Sequence, residues 1–272
     1  MPRRIVATIA AVSAASAAAV AVWLASGSLV SPAESIIPNP DFQPLVAAGY
    51  ASQSETDSYT FNRPLIEQQL DQLPPADDIV IRAYERDAFG QRWADIDRNG
   101  CDTRNDLLRI WLTDVTFKPG THDCVVLTGT LTDPFGGTTI SFTRGQGTSE
   151  AVQIDHLWPL SAAWQRGADA WTEEKRLQFA NDPLNLTPVD GILNQSKSDS
   201  GPEWMPPNVS YRCAYAARMI LVATNYQLEL TPDDPRELRL TASPAQGDCP
   251  SPIARGGLPA RSRSHARQCA GE

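Results

Sequence analysis

An aspartate and a histidine stand side by side at the end of a short apolar stretch, in the sequence VQIDHLWPL at residues 152–160. His156 is one of three histidines in the chain, and an imidazole with an ordinary pKa can act as a neutral base near pH 7. The Asp155 carboxylate is a hard oxygen ligand, of the kind that Mg²⁺ and Mn²⁺ prefer. Such a pair is more often an ordinary polar contact, so a catalytic interpretation needs support from elsewhere in the chain.

That support comes from three residues further along. Asn185 lies in PLNL, and Asn194 and Lys197 lie in NQSK, so the polar residues follow the order D-H, N and N-x-x-K. Alone, each asparagine would usually be a turn residue and the lysine a solvated surface residue. In this order they resemble the HNH endonucleases, whose active site is a ββα-metal finger.

The resemblance is closer to a secreted branch related to the C-terminal domain of GmrSD-type restriction enzymes. The resembling stretches occur in order and cover about half of the chain. They are YERDAFGQRWADIDRNGCDTRNDLL (84–108), GTLTDPFGG (129–137), IDHLWPLSAAWQRGA (154–168), FANDPLNL (179–186), NQSKSD (194–199) and MPPNVSYRCAYAAR (205–218).

The resemblance implies a role for each polar residue in phosphodiester hydrolysis, which needs a base for water and a cation for the developing charge. His156 would be the general base. Asp155 and Asn194 would hold one divalent metal, Mg²⁺ or Mn²⁺, at the scissile phosphate. Asn185 would orient the histidine or its loop, and Lys197 would contact phosphate.

One departure from the family pattern affects the metal. Asp155 stands where the family's first histidine is expected, which favours hard ions over zinc. Because neighbouring residues of a regular strand point to opposite faces, Asp155 and His156 can share a site only at a strand end, a bulge or a bend. Pro159 makes a strand end here plausible.

The elements that must position these residues are mixed. Apolar spacing predicts helices over 65–73, 104–112 and 209–226, and Thr172 has the surroundings of a helix start. β-branched residues on both sides of DPFGG predict a hairpin within 124–145. VQID (152–155) and LNLTPVD (184–190) read as extended segments. These elements predict an α+β fold, and the resemblance implies an HNH-type ββα-metal finger embedded in a small disulfide-stapled domain.

The chain has 272 residues and a net charge of −9, which argues against a sequence-independent DNA coat. Residues 1–33 have the pattern of a secretory signal peptide, or alternatively of a retained membrane anchor. We interpret residues 34–78 as a linker with a short helix, 79–235 as the nuclease domain and 236–272 as a disordered basic tail. The protein is therefore expected to be secreted, or anchored facing outside.

Cysteine usage agrees with export, because disulfides persist in oxidising compartments. The four cysteines of the body allow three pairings, and we favour the two that close short local loops, Cys101 with Cys124 and Cys213 with Cys249. Cys269 in the tail is then free or intermolecular.

A second candidate metal site lies in DIDRNGCDTRND. Asp95, Asp97, Asn99 and Asp106 stand at positions 1, 3, 5 and 12 of a loop whose spacing imitates a calcium-binding EF-hand. Cys101 lies inside this loop, and an aspartate replaces the usual glutamate. A turn stabilised by the Cys101 disulfide is the simpler interpretation.

The sequence therefore favours a secreted metal-dependent endonuclease that acts on nucleic acid with little sequence preference, with DNA expected and RNA left open. No stable protein partner is inferred, and a membrane is involved only if the N-terminal segment is retained. The alternative is a non-catalytic exported module with a calcium-stabilised loop. Several tryptophans surround the site, and core packing is a commoner use for them than base stacking: Trp158, Trp164, Trp171 and Trp204.

Overall fold

The computed structural model describes residues 40, 42–53, 59–76 and 83–242. The predicted signal peptide or anchor, Cys249 and Cys269 lie outside these residues, as does most of the predicted tail. Within the described ranges, no helix is both long enough and apolar enough to cross a membrane.

The first elements fall in the stretch that we interpreted as a linker. They are helix α1 (Gln43–Ala47), the antiparallel strands β1 (Ala51–Gln53) and β2 (Tyr59–Phe61), and helix α2 (Arg63–Asp71). α2 confirms the predicted short helix. The segment before it is folded, because Phe42, Leu45 and Tyr59 are buried in the main core. The apolar residues of this part of the chain are too few to show a periodic pattern, but their burial is enough to hold it against the main core.

The middle of the chain forms a three-stranded antiparallel sheet. Helix α3 (Thr103–Trp111) precedes the strands β3 (Leu112–Phe117), β4 (Val126–Thr132) and β5 (Thr139–Thr143), in the order β3-β4-β5. The predicted helix and hairpin are both confirmed. In the hairpin turn, the Asp133 carboxylate accepts hydrogen bonds from the backbone N–H groups of Phe135 and Gly136, and Gly137 has a φ of 71° that favours glycine.

The polar residues singled out above lie on a separate unit of two strands and a helix. Strands β6 (Val152–His156) and β7 (Leu186–Asp190) pair antiparallel, with His156 opposite Leu186. Between them run α4 (Leu160–Trp164) and α5 (Glu173–Asn181), and α5 is capped by Thr172 as predicted. Helix α6 (Gly191–Lys197) starts directly after β7, because the Asp190 side chain accepts from the first free N–H groups.

The last helices complete the main core. α7 (Arg212–Tyr226) confirms the predicted helix and is buried on almost every side, and α8 (Asp234–Ala242) extends past residue 236, where the tail was expected to begin. A second apolar cluster joins α3 and the three-stranded sheet to Val152, Ile154 and Leu186 of the β6–β7 pair. The protein is thus a mixed helix and strand structure in which β6 and β7 lie between two cores.

A disulfide joins Cys101 to Cys124 across 23 residues, as predicted. Cys213 also takes part in a disulfide bond, and its predicted partner, Cys249, lies outside the described residues. The Cys101–Cys124 bond closes a loop of 23 residues. Closing such a loop removes entropy from the unfolded chain and stabilises the fold by about 3 kcal/mol.

We therefore expect the double variant Cys101→Ser/Cys124→Ser to lose about 3 kcal/mol of unfolding free energy. Its melting temperature should fall by roughly 10 °C, which circular dichroism would measure. Mass spectrometry of the unreduced wild-type protein is the control that the bond has formed. Equal melting temperatures for a bonded wild type and the variant would contradict this prediction.

Candidate functional site

The last two residues of β6 point in different directions. His156 lines a pocket of about 180 Å³ together with Arg86, Trp93 and other residues that precede α3. The Asp155 carboxylate instead contacts Lys197 of α6 and is buried. This is the alternation that a regular strand imposes. The sequence allowed Asp155 and His156 to share a site at a strand end. β6 does end at His156, but the two side chains lie on different faces of that end, and a site that they share stays a prediction.

The His156 ring is held in one tautomer. Its Nε2 lies 2.9 Å from the carbonyl oxygen of Ala180, and because a carbonyl can only accept, Nε2 carries the proton. In the neutral ring Nδ1 therefore keeps a free lone pair. Burial, and then the charges of Arg86, Lys197 and Arg92, lower the pKa of His156 to about 4, although the Ala180 hydrogen bond opposes the shift. The ring is therefore neutral at pH 7, which leaves Nδ1 able to accept a proton, although the lowered pKa also makes the imidazole a weaker base.

Asp155 and Lys197 form a buried ion pair. The Lys197 Nζ donates to Asp155 Oδ1 at 3.1 Å and to the backbone oxygen of His156 at 2.7 Å. Burial raises the pKa of Asp155 to about 6, and the charge of Lys197 opposes this rise. Lys197 is completely buried, so in this arrangement its ammonium holds the end of β6. The phosphate contact implied by the resemblance stays a prediction.

Asn194 lies on the same side of β6 as Asp155. Its Nδ2 donates to Gln153 Oε1 at 2.7 Å, and Gln153 and Asp155 share one face because they are two residues apart in the strand. Its Oδ1 has no partner among the described residues. Helix α6 thus brings Asn194 and Lys197 to the Asp155 face.

The donor atoms on this face fit a hard divalent cation. Asp155 Oδ2 is buried and has no hydrogen-bond partner in the described part of the chain, which leaves an anionic oxygen available. With the Asn194 Oδ1, it offers oxygen ligands of the type that Mg²⁺ takes while keeping several of its waters. Over the described ranges, no group of three or more His, Cys, Asp or Glu residues is arranged to hold a metal. The pair of Asp155 and Asn194 is not such a group, because it contains one carboxylate and one amide. Metal binding by these two residues stays a prediction.

Asn185 holds the chain just beyond His156. Its side chain is completely buried, accepts from the Trp158 backbone N–H at 2.9 Å and donates to the Trp158 carbonyl at 3.2 Å. Its own carbonyl accepts from Leu157 at 2.8 Å. These bonds fix the backbone directly after β6, and the predicted role of Asn185 in orienting the histidine or its loop stays a prediction.

The calcium-like loop is closed by its own hydrogen bonds. The carboxylate of Asp95 accepts from the backbone N–H groups of Asn99 and Gly100, and Asp97 accepts from Asn99. Burial, opposed by a hydrogen bond from Asn99, raises the pKa of Asp106. A 3₁₀ turn at Arg86–Phe89 stands before the loop. Calcium at Asp95, Asp97, Asn99 and Asp106 stays a prediction.

Comparison with known proteins assigns the chain to a family. Residues 102–239, half of the chain, match the model of the C-terminal domain of GmrSD restriction endonucleases. The chain belongs to this family. An uncharacterized secreted protein of Arthroderma benhamiae is 38% identical over 151 residues, which cover 54% of this chain and 69% of that protein. No solved structure gives a significant match.

Membership of the GmrSD C-terminal domain family confirms the resemblance drawn from the sequence and indicates a nuclease-like function. The family match contains all five predicted site residues. It begins after Arg86, Arg92 and Trp93, three residues of the His156 pocket to which the sequence assigned no role. These three residues lie in YERDAFGQRW, one of the stretches that carried the resemblance. Their position in that stretch was the sequence feature from which they could have been identified.

Arg218 of the GmrSD C-terminal domain was also missed. It is 2% exposed, and its guanidinium donates to Thr187 Oγ1 and to the carbonyls of Pro183, Leu184 and Leu186. It therefore fixes the start of β7 against α7. An arginine in the middle of the apolar stretch of α7 was the signal, because a buried charge requires several partners. The four tryptophans are buried or packed against the main core, as expected.

Proposed function

We propose that this protein is a secreted endonuclease that hydrolyses phosphodiester bonds in DNA, and in RNA if the pocket admits it, with a divalent metal and little sequence preference. One observation carries the proposal. The His156 imidazole is neutral: its Nε2–H donates a hydrogen bond to the Ala180 carbonyl, and its Nδ1 carries a lone pair and no proton. The ring lines a pocket that two arginines also line. This is what a general base for water needs.

The arrangement supports a short sequence of events at His156. With a phosphodiester in the pocket, Nδ1 accepts a proton from the attacking water, and the Nε2–H bond to Ala180 keeps the ring in place while it becomes an imidazolium. Asn185 and Lys197 hold the chain on each side of His156. Asp155 and Asn194 would hold a divalent cation, which would supply Lewis-acid stabilisation of the charge that develops on the phosphate and the leaving oxygen.

The elements that carry these residues support an HNH-type site. β6 and β7 are antiparallel and α6 follows β7 directly, which is the strand, strand and helix order of a ββα-metal finger. We propose that these three elements are that finger. Export is supported by the apolar N-terminal sequence and by the relative whose name describes a secreted protein.

Plasmid nicking tests the proposal directly. We expect supercoiled DNA to be nicked with Mg²⁺ or Mn²⁺ and to stay intact in EDTA, because the charge developing on phosphate is then left without a cation. Heat-denatured protein is the control for contaminating cleavage. Absence of nicking with every metal, on DNA and on RNA, would contradict the proposal.

Thermal melting in the same buffers separates the proposal from the alternative, a non-catalytic module with a calcium-stabilised loop. A ligand that binds only the folded state raises the melting temperature. The alternative module would be favoured if calcium alone raised the melting temperature, if Asp95→Asn removed that increase, and if the wild-type protein nicked plasmid in none of the buffers.

A further inference from the structure

Two arginine side chains of the His156 pocket form no ion pair with a carboxylate of the described residues. Arg86 belongs to the 3₁₀ turn at Arg86–Phe89 and Arg92 follows it closely, and both are exposed and line the pocket. Neither guanidinium has a hydrogen bond or an ion pair among the described residues. The Cζ of Arg92 lies 5.2 Å from the centre of the Trp93 ring, a contact that orients the guanidinium without neutralising it.

The positive charge continues along β6 beyond the pocket. Arg104 donates to the backbone oxygen of Val152, at the other end of the strand, at 3.2 Å. Partial burial and then the charges of Arg144 and Arg92 lower the pKa of Arg104, and Asp102 opposes them. Arg104 therefore lies close enough to Arg144 and Arg92 to be repelled by both, in a chain whose net charge is −9. Such a cluster is unfavourable without an anion.

We infer that Arg86 and Arg92 form a phosphate-binding subsite beside His156, which takes the sugar-phosphate backbone of the nucleic acid. The inference rests on the proposed function for the class of ligand. A guanidinium offers a planar pair of N–H donors that matches two phosphate oxygens. Asp87 also lines the pocket, so the two arginines leave a net positive charge there.

The ligand group that fits is the phosphate and not a base. The Trp93 ring is nearly parallel to the His156 ring, at 12° and 6.4 Å between centroids, and Arg92 lies over it. Trp93 thus already has two side chains beside its ring, which leaves less of that ring for stacking on a base. Phosphate contacts fix where the strand lies and carry no sequence information, which agrees with cleavage of little sequence preference.

Binding of a fluorescein-labelled DNA duplex, measured by anisotropy in EDTA, tests the subsite without cleavage. Arg86→Gln and Arg92→Gln should each weaken binding about tenfold at low salt. The slope of log K against log[salt] should become shallower by about 0.9 for each lost phosphate contact. Arg63→Gln and Arg109→Gln are the control variants, because these arginines are exposed as well, at 51% and 47%, but do not line the pocket. They should leave affinity and slope unchanged.

A double variant Arg86→Gln/Arg92→Gln with wild-type affinity and wild-type salt slope would overturn the subsite. Because the assay needs no turnover, this failure differs from a failure of the proposed function. If the wild-type protein nicks plasmid and the double variant binds DNA normally, the proposed nuclease activity stands and the subsite is excluded. Wild-type protein that never nicks, with binding that depends on both arginines, would retain the subsite and exclude the nuclease.

Discussion

Replacing His156 with alanine should reduce the rate of plasmid nicking by about 10²- to 10⁴-fold, the usual contribution of a general base. The reason is specific to this ring, since the Ala180 carbonyl fixes its proton on Nε2 and leaves Nδ1 as the proton acceptor. Nicked and supercoiled plasmid would be quantified over time at saturating Mg²⁺. Added imidazole should restore part of the rate, because the truncated side chain leaves room for it next to the pocket.

The matched control is the second histidine of the described chain. His122 is exposed and adopts a φ of 51° in the turn before β4. Asparagine tolerates that backbone conformation better than alanine, so His122→Asn should be compared with His156→Asn. We expect wild-type nicking from the first and none from the second at equal melting temperatures. Equal nicking by the two variants would remove His156 from the mechanism.

Replacing Lys197 with methionine should lower the unfolding free energy by about 3 to 5 kcal/mol. Lys197 is completely buried and Asp155 is 4% exposed, so removal of the ammonium leaves a buried carboxylate without its closest counter-charge. Arg218 also acts on Asp155, which places the cost towards the lower end of this range. Urea denaturation followed by circular dichroism would measure it.

Two further variants show whether the cost comes from the unpaired carboxylate. In Asp155→Asn/Lys197→Met neither charge remains, so the double variant should be more stable than Lys197→Met alone. Lys118→Met is the matched control, because Lys118 is an exposed lysine on the turn after β3, and it should change stability by less than about 0.5 kcal/mol. If Lys197→Met kept wild-type stability and weakened only DNA binding, the ammonium would act on phosphate, as the family resemblance implied.

Much of the local structure could be predicted because its causes are local. The DPFGG turn, the Thr172 cap and the apolar spacing of α3 and α7 involve residues a few positions apart, and each formed where expected. The parts at residues 42–53 and 59–61 were harder. Their burial depends on contacts between Phe42, Leu45 and Tyr59 and a core built mainly from distant residues, for which short-range patterns carry no signal.

The sequence by itself indicated the family and the mixed fold class, favoured the disulfide that is present, and supplied five candidate polar residues for the site. The tertiary structure alone decided what each polar group faces: the Ala180 carbonyl for His156, a buried carboxylate for Lys197, and two uncompensated arginines beside the imidazole. The physical reason is range. Helix caps, turns and residue order act within a few positions of the chain, whereas tautomer, burial and local field depend on groups that folding brings together from distant positions.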